Sequence, residues 1–260
     1  MQEKLHVTHG RRRRKVAIGL HNLAPVEFPV TYTTKPPEFK FRPLGERFEK
    51  NLAQILTEMH TGREYAWTVE GFEEYPMILD KKGMVLSMPP IINGEHTRID
   101  EVTRDLFVDV TGTDLKAITE VLNIIVTTFA DRGATVYAVE NHYHDGSVLK
   151  TPDLRPKKMA LDIEYVNGTL GMEYTPEEAA GLLARMGHDA QVGEALTVEY
   201  PCYRTDIMHP MDLVEDVAIA YGYDKFVPEI PEVATEAGED PLEVFSRGLR
   251  NFLVGFGFQE

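Results

Sequence analysis

The stretch LFVDVTGTDLKAITEVLNIIVTTF, residues 106–129, contains the clearest strand and the clearest helix in the chain. Its apolar beginning carries one internal carboxylate and predicts a buried strand. Thr113 is suited to cap a helix and Asp114 to lie at its positive end, and apolar residues then recur at helical spacing over 115–129. Gly133 is a typical residue to end such a helix. A strand followed by a long amphipathic helix indicates a mixed α+β fold.

Upstream of this stretch, short apolar runs predict further strands and one more helix. The helix is expected from about Gly45 to Met59, where apolar residues have helical spacing. We expect strands or extended segments over residues 15–20, 26–34, 65–69, 77–79 and 84–88. Pro89 and Pro90 exclude helix continuation and central strand pairing directly after the last of these.

Downstream, the sequence predicts a hairpin and then a second compact unit. Asp145-Gly146 lies between two extended runs, which is typical of a hairpin over about 134–149. The segment TPDLRPKK, residues 151–158, separates this hairpin from the next unit. Beyond it we expect strands at 159–165 and 196–201, a turn at Asn167-Gly168, a helix from the capping box at Thr175 to Gly187, and helices over 212–221 and 242–254.

Composition limits the class of protein. The chain has 260 residues, a formal net charge of −15 and a single cysteine, Cys202. An internal disulfide and a cysteine-rich zinc site are therefore excluded, and no apolar run is long enough for a membrane span or a signal peptide. These features predict a cytoplasmic protein with no membrane partner. The acidity argues against nucleic-acid binding over the whole surface.

Two groups of polar residues each admit a structural and a functional interpretation. Asp109 and Thr111 project from the same face of a strand, where they either cap backbone groups or line a pocket. The basic run over 11–15 is either a solvated stretch before a strand or a local RNA contact.

An acidic cluster follows near residue 210. It either compensates a helix dipole or forms an oxygen-ligand site for Mg²⁺, and Arg204 is a competing partner for its carboxylates. The cluster consists of Asp206, Asp212, Glu215 and Asp216. The histidines His96, His142, His144, His188 and His209 have no zinc-binding spacing and predict surface or structural roles.

Two long motifs in order carry a family resemblance. LSMPPIINGEHTRI (86–99) with LFVDVTGTD (106–114) resembles the editing region of archaeal and eukaryotic phenylalanine–tRNA synthetase β subunits. YRTDIMHPMDLVEDVAIAYGYD (203–224) resembles the B-five domain that follows it, and KVAIGLHNL with FKFRPLGE resembles the entry to the editing region. The resemblance covers essentially the whole chain.

The resemblance implies an α+β architecture in three parts. Residues 1–150 would form a mixed α/β editing domain, residues 151–225 a small winged-helix-like B-five domain, and residues 226–260 a linker with the first helix of a truncated catalytic-like domain. It also implies hydrolysis of tyrosine mischarged onto the phenylalanine tRNA, and amino-acid activation on an α subunit instead of this chain.

Site residues and partners are implied in the same way. The editing pocket would contain Ser87, Asn93, Asp109 and Thr111, with Ile78 near an apolar wall, and the metal site Asp206, Asp212, Glu215 and Asp216. The implied partners are the phenylalanine tRNA and the α subunit in an α2β2 tetramer. Mg²⁺ would be shared with that subunit, and ATP would act only in the complete enzyme.

Two rival functions follow from the sequence. The chain is either an editing module or a non-catalytic RNA-binding or subunit-interface fragment whose pocket is inactive, because a fold does not fix a function. A free-standing nucleic-acid-binding protein that uses the winged-helix-like unit is a third reading, and the acidic balance of that region argues against it.

Overall fold

The computed structural model of the chain describes residues 1–193, 195–228, 230 and 237–259. These residues divide into two compact units, Met1–Ala220 and Tyr221–Glu260. Helices and sheets are mixed, which confirms the α+β prediction. Residues 229 and 231–236 of the predicted acidic linker lie outside the described residues. Within the described part of the chain, no helix is long and apolar enough to cross a membrane.

The first half of the chain is built mainly from short strands. Its elements are α1 Gln2–Val7, β1 Val16–Asn22, β2 Thr31–Lys35, β3 Lys40–Phe41, β4 Lys50–Asn51, α2 Leu52–Glu58, α3 His60–Tyr65, β5 Tyr75–Leu79, β6 Val85–Met88, β7 Ile92–Asn93, β8 Leu106–Gly112 and α4 Leu115–Asp131. Single 3₁₀ turns occur at Ala66–Val69 and Glu95–Thr97.

The second half begins with the predicted hairpin. Its elements are β9 Val139–His142, β10 Val148–Thr151, β11 Lys157–Leu161, α5 Ile163–Leu170, α6 Pro176–Arg185, β12 Asp189–Gln191, β13 Leu196–Tyr200, α7 Pro210–Tyr221 and α8 Pro241–Gly255. In α8, large apolar side chains such as Phe245 and Phe252 are exposed.

Strands β1 and β8 form an antiparallel pair that joins residues about ninety positions apart, and Gly19 lies opposite Asp109. Helix α4 packs on this pair through Val121 and Ile125, because its apolar stripe faces Val16 and Ile18. The pairing fixes which side chains of β8 face the protein interior.

The neighbouring sheet has the strand order β2-β5-β6-β7. Ser87 in β6 lies between Ile78 in β5 and Asn93 in β7. Helix α2 covers this sheet with Leu52 and Ile55, which pack into the same core as the strand residues. A separate three-stranded sheet, β11-β13-β12, shares a core with α5, α6 and α7.

Two sequence predictions about helix starts are wrong, because other residues cap the helices. The helix expected from Gly45 begins only at Leu52, because Asn51 and Gln54 form a capping box there and Gly45 has a φ of +85°. Helix α4 is capped by Asp114, whose carboxylate accepts the Ala117 N–H, and Thr113 does not cap it.

Two further predictions of extended or turn structure are wrong. Residues 65–69 end a helix and form a 3₁₀ turn instead of a strand. Asn167-Gly168 lies inside α5, which Asp162 caps. In contrast, the capping box of Thr175 and Glu178 is present as predicted.

Candidate active site

A cavity of about 550 Å³ lies beside the β1–β8 pair, within the size range of small-molecule sites. The polar side chains that line it near the strand pair are Ser87, Asn93, Thr97, Asp109 and Thr111. Four of these are the predicted pocket residues, so the fold brings together side chains from β6, β7 and β8. Ile78 is not part of the lining; it packs with Val26 and Leu86.

Asp109 is the charged group at the centre of this polar wall. Its side chain is 10% exposed. One carboxylate oxygen, Oδ2, accepts the Ser87 hydroxyl at 3.1 Å and lies 3.3 Å from His21 Nε2. Ser87 and His21 therefore hold the carboxylate in one orientation, and the described residues give it no Lys or Arg partner.

His21 is the functional candidate that sequence reasoning missed. Its side chain is 0% exposed, and its Nδ1 lies 2.8 Å from the Thr97 hydroxyl oxygen. If Thr97 donates to Nδ1, the ring carries its proton on Nε2 and donates to Asp109. The result is a connected Thr97–His21–Asp109 network. A lone histidine in KVAIGLHNL gives no signal of it, because both partners are distant in sequence.

Gly19 makes room for this network. A Cβ at position 19 would lie 2.2 Å from Asp109 Oδ1 and 2.6 Å from His21 Nε2. A Cβ at these distances would force the carboxylate or the imidazole to shift, so glycine at position 19 lets the carboxylate lie across β1.

Asn93 and Thr111 complete the polar wall. The Asn93 amide donates one hydrogen bond to the Leu20 carbonyl, at 3.4 Å, which leaves its second N–H for another partner. Thr111 lies two residues beyond Asp109 on the same face of β8, as the strand period predicts. Both side chains line the cavity.

Another part of the cavity wall contains Arg13, Glu3 and His6. The Arg13 guanidinium donates to the carbonyls of Pro90 and Ile91, at 3.0 and 3.2 Å, and to Glu3 at 3.0 Å. It also lies 4.3 Å from the centre of the Tyr65 ring. Its side chain is only 13% exposed, so Arg13 is not part of a solvated basic stretch.

His6 supports this wall as a buried neutral ring. Its Nε2 accepts the Ile18 N–H at 2.9 Å, and its Nδ1 lies 3.1 Å from Glu3. Burial and the nearby charge of Arg13 lower the pKa of His6 below its ordinary value of 6.5. The hydrogen bond from Ile18 requires an unprotonated Nε2, in agreement with that direction.

The predicted magnesium residues have a different arrangement. Arg204 donates two hydrogen bonds to Asp206 Oδ2, at 2.8 and 3.1 Å, and one to Asp216 at 2.7 Å. His188 Nε2 lies 2.6 Å from the same Asp216 oxygen. The hydrogen bond to Arg204 lowers the pKa of Asp206 and the pairing raises the pKa of Arg204. A guanidinium thus occupies the place between two of the acids.

The remaining two acids point elsewhere. Asp212 accepts the backbone N–H groups of Met208 and His209 at the start of α7, and Glu215 is exposed on that helix. Among the described residues, no group of three or more Asp, Glu, His or Cys side chains is arranged to hold a metal ion. The four side chains therefore have different partners in this structure, with Arg204 between two of them, and their role as Mg²⁺ ligands stays a prediction.

Comparisons with known proteins agree with the motif resemblance. The family model of the tRNA synthetase B5 domain matches residues 159–223. The phenylalanine–tRNA ligase β subunit of Pyrococcus furiosus is 43% identical over 263 residues, which cover 100% of this chain and 47% of that protein. The β subunit of Archaeoglobus fulgidus is 43% identical over 261 residues, with the same shares.

A solved structure is also similar. The crystal structure of an N-terminal fragment of the phenylalanyl-tRNA synthetase β subunit from Pyrococcus horikoshii has a TM-score of 0.83 and 40% identity, covering 85% of this chain and 64% of that one. The chain spans about half the length of the relatives that it matches. It is therefore, over its whole length, a relative of the phenylalanine–tRNA ligase β subunits, and it contains a tRNA synthetase B5 domain.

Proposed function

We propose that this chain is an editing module of a phenylalanine–tRNA ligase, which hydrolyses the ester of tyrosine mischarged onto the phenylalanine tRNA. The observation that carries the proposal is the Thr97–His21–Asp109 network at the wall of a cavity of about 550 Å³. A pocket for phenylalanine rejects an added hydroxyl only modestly, so a second, hydrolytic site improves accuracy.

The chemistry needs an ordered water and donors for the ester carbonyl. Water adds to the carbonyl carbon and the ester C–O bond breaks. One proton of the water goes to the ribose oxygen, which leaves as a hydroxyl, the other proton passes to solvent, and tyrosine is released as its carboxylate. The free N–H of Asn93 and the Thr111 hydroxyl are suited to the carbonyl oxygen. Asp109 supplies a carboxylate acceptor in the cavity wall, because Ser87 and His21 hold it in place and no Lys or Arg among the described residues pairs with it.

Asp109 has two possible roles, which make different kinetic predictions. A carboxylate that binds the phenolic hydroxyl distinguishes tyrosyl from phenylalanyl esters. A carboxylate that orients water accelerates hydrolysis of both esters. The two roles are separated by the substrate dependence of an Asp109→Asn variant.

The complete ligase belongs to the same proposal. An α subunit that activates the amino acid, an α2β2 assembly, the phenylalanine tRNA and ATP-dependent aminoacylation are proposed for the whole enzyme, with Mg²⁺ as its usual cation. Boundaries near residues 150 and 225 are proposed for the editing and B-five regions. The hydrolysis is assigned to residues of the cavity, and the acidic cluster, in which Arg204 pairs with Asp206 and Asp216, takes no part in the proposed step.

The test is release of tyrosine from tyrosyl-tRNA carrying the phenylalanine tRNA, with this chain alone. We expect release well above the spontaneous rate, while phenylalanyl-tRNA is spared. A folded chain that releases no tyrosine contradicts the proposal for the chain alone and favours a non-catalytic RNA-binding or subunit-interface fragment.

The matched variants are Asp109→Asn and Asp145→Asn, since Asp145 lies in an exposed hairpin turn outside the cavity. We expect about a hundredfold loss for Asp109→Asn, the lower end for a missing general base, and no loss for Asp145→Asn. If the Asp109→Asn variant hydrolyses phenylalanyl-tRNA faster and distinguishes it less well from tyrosyl-tRNA, Asp109 binds the phenol. If the variant hydrolyses both esters more slowly, Asp109 orients water. An unchanged rate would show that this site assignment is wrong.

A further inference from the structure

The basic run before β1 is a tight loop with an unusual backbone. Arg11, Arg12 and Arg13 have φ values of 47°, 56° and 62°, in the left-handed region that arginine rarely adopts. Backbone hydrogen bonds close the loop on both sides, from Lys15 N to Gly10 O at 2.9 Å and from Arg13 N to His6 O at 3.2 Å. Three consecutive strained residues persist only where the surroundings hold them.

Arg13 attaches this loop to the cavity. Its guanidinium binds the carbonyls of Pro90 and Ile91, which belong to the cavity wall, and it stacks on Tyr65. The neighbouring arginines are therefore presented at the side of the cavity in a fixed position, and they do not form a freely moving stretch.

The charges of the loop divide into two groups. Arg13 is paired with Glu3, and Lys15 is paired with Asp114 at 2.8 Å. Arg11, Arg12 and Arg14 are exposed, and none of them forms an ion pair with any residue that the structure describes. In a chain with a net charge of −15, three neighbouring arginines without an acidic partner are a local exception.

We propose that Arg11, Arg12 and Arg14, the arginine loop, bind the phosphodiester backbone of the RNA strand whose aminoacylated end enters the cavity. Arginine forms paired hydrogen bonds to phosphate oxygens, and a fixed loop loses little side-chain and backbone freedom when it binds. The position of the loop beside the cavity rests on the geometry above, and its role in editing rests on the proposed function. The contacts are to the backbone, so they position the strand without reading its sequence.

The direct test is binding of a fluorescent single-stranded RNA oligonucleotide by the full chain, followed by anisotropy at several salt concentrations. The variant is Arg11→Gln with Arg12→Gln and Arg14→Gln. Its matched control is Arg104→Gln with Arg132→Gln and Arg185→Gln, which removes the same charge from exposed arginines outside the cavity lining. Far-UV circular dichroism melting verifies that both variants are folded.

We expect the arginine-loop variant to bind about tenfold or more weakly at low salt. The slope of log affinity against log salt should decrease in magnitude by about two, since each phosphate contact to a single strand contributes about 0.7. The control variant should retain the wild-type affinity and slope. Equal weakening in both variants would show attraction to overall charge only, and no weakening in either would overturn the proposal. Failure of the wild-type chain to bind the oligonucleotide would also overturn it.

A second substrate separates this inference from the editing proposal. Tyrosine esterified to adenosine carries the ester but no phosphate. We expect the arginine-loop variant to hydrolyse it at the wild-type rate while KM for tyrosyl-tRNA rises and kcat is retained. Loss of activity on both substrates would assign the loop a structural role and contradict the inference. If the wild type hydrolyses neither substrate but binds RNA through the loop, the editing proposal fails and the RNA surface remains.

Discussion

Asp109 and Asp216, whose side chains are 10% and 5% exposed, each contact a histidine whose side chain is 0% exposed, but their surroundings differ. Asp109 lies 3.3 Å from His21, accepts a serine hydroxyl and faces a cavity. Asp216 lies 2.6 Å from His188, also binds Arg204, and is not part of that cavity's lining. The first carboxylate is oriented by a hydroxyl and an imidazole, while the second also pairs with a guanidinium.

The difference separates a carboxylate that faces a cavity and is available for chemistry from one that forms a structural ion pair. A buried carboxylate without a cation is costly, and it persists where hydrogen bonds and access to a polar cavity compensate it. A buried carboxylate with an arginine is a structural ion pair, and removing one partner leaves the other uncompensated. The same Asp–His pair therefore predicts little about function until the third partner is known.

The largest expected effect concerns stability. Asp216→Asn should reduce the free energy of unfolding by about 3 kcal/mol, because Arg204 loses a buried anionic partner and shares one neutral amide oxygen with His188. Asp109→Asn should cost only about 1–2 kcal/mol, because Ser87 and His21 keep an oxygen acceptor and no Lys or Arg among the described residues loses a counter-ion. Urea denaturation of both variants measures the two values. Equal losses would remove the distinction between the pairs.

A second substitution, at Gly19, displaces Asp109 and His21 without replacing either residue. Gly19→Ala places a methyl group against Asp109 Oδ1 and His21 Nε2, so we expect a loss of about 2 kcal/mol and at least a tenfold slower release of tyrosine. Gly168→Ala in α5 is the matched control, since a Cβ there meets nothing within 4 Å. It should stabilise the chain by about 0.5–1 kcal/mol and leave hydrolysis unchanged. A fully active, stable Gly19→Ala variant would mean that the carboxylate is free to move.

Local signals in the sequence predicted the elements of the fold better than the partners in the site. The apolar period of α4, the capping box at Thr175 and the shared face of Asp109 and Thr111 are all local, and all are present. Asn51 and Asp114 were missed as caps, because apolar residues with helical spacing already begin upstream of Asn51, and because Thr113 beside Asp114 also suits the role.

The contacts of His21 and His188 could not be predicted, because their partners are set by pairing over long distances in sequence. His21 meets Asp109 only once β1 pairs with β8, and His188 meets Asp216 only once α7 packs into the core that it shares with the β11-β13-β12 sheet. Arg204 was identified as a competitor for the acids from its position alone. That it binds both Asp206 and Asp216 required the structure.

His6 also lines the cavity and gives the stability of the chain a dependence on pH. Its lowered pKa means that the unfolded chain binds a proton more readily, so this contribution is fully present above pH 6.5 and is lost as the pH falls below it. Stability should then decrease by at most about 1.4 kcal/mol per pH unit through this one group. His6→Gln should remove this dependence of stability on pH, measured by urea denaturation from about pH 7.5 to about pH 5, on either side of the ordinary histidine pKa. His142→Gln in the exposed hairpin should retain it.

The smallest expected effect tests the Asp216 side with magnesium. If Mg²⁺ bound the chain with a Kd ten times below its concentration, it would stabilise the fold by about 1.4 kcal/mol and raise Tm by about 2–4 °C. We expect no such shift relative to NaCl of equal ionic strength, because Arg204 already pairs with Asp206 and Asp216. Arg204→Gln frees both carboxylates, so a magnesium-dependent rise in Tm in that variant alone would mean that the guanidinium stands in the place of a cation. A rise of that size in the wild type would show that the arginine gives way to the metal, and the contrast between the two aspartates would then depend on the ion present.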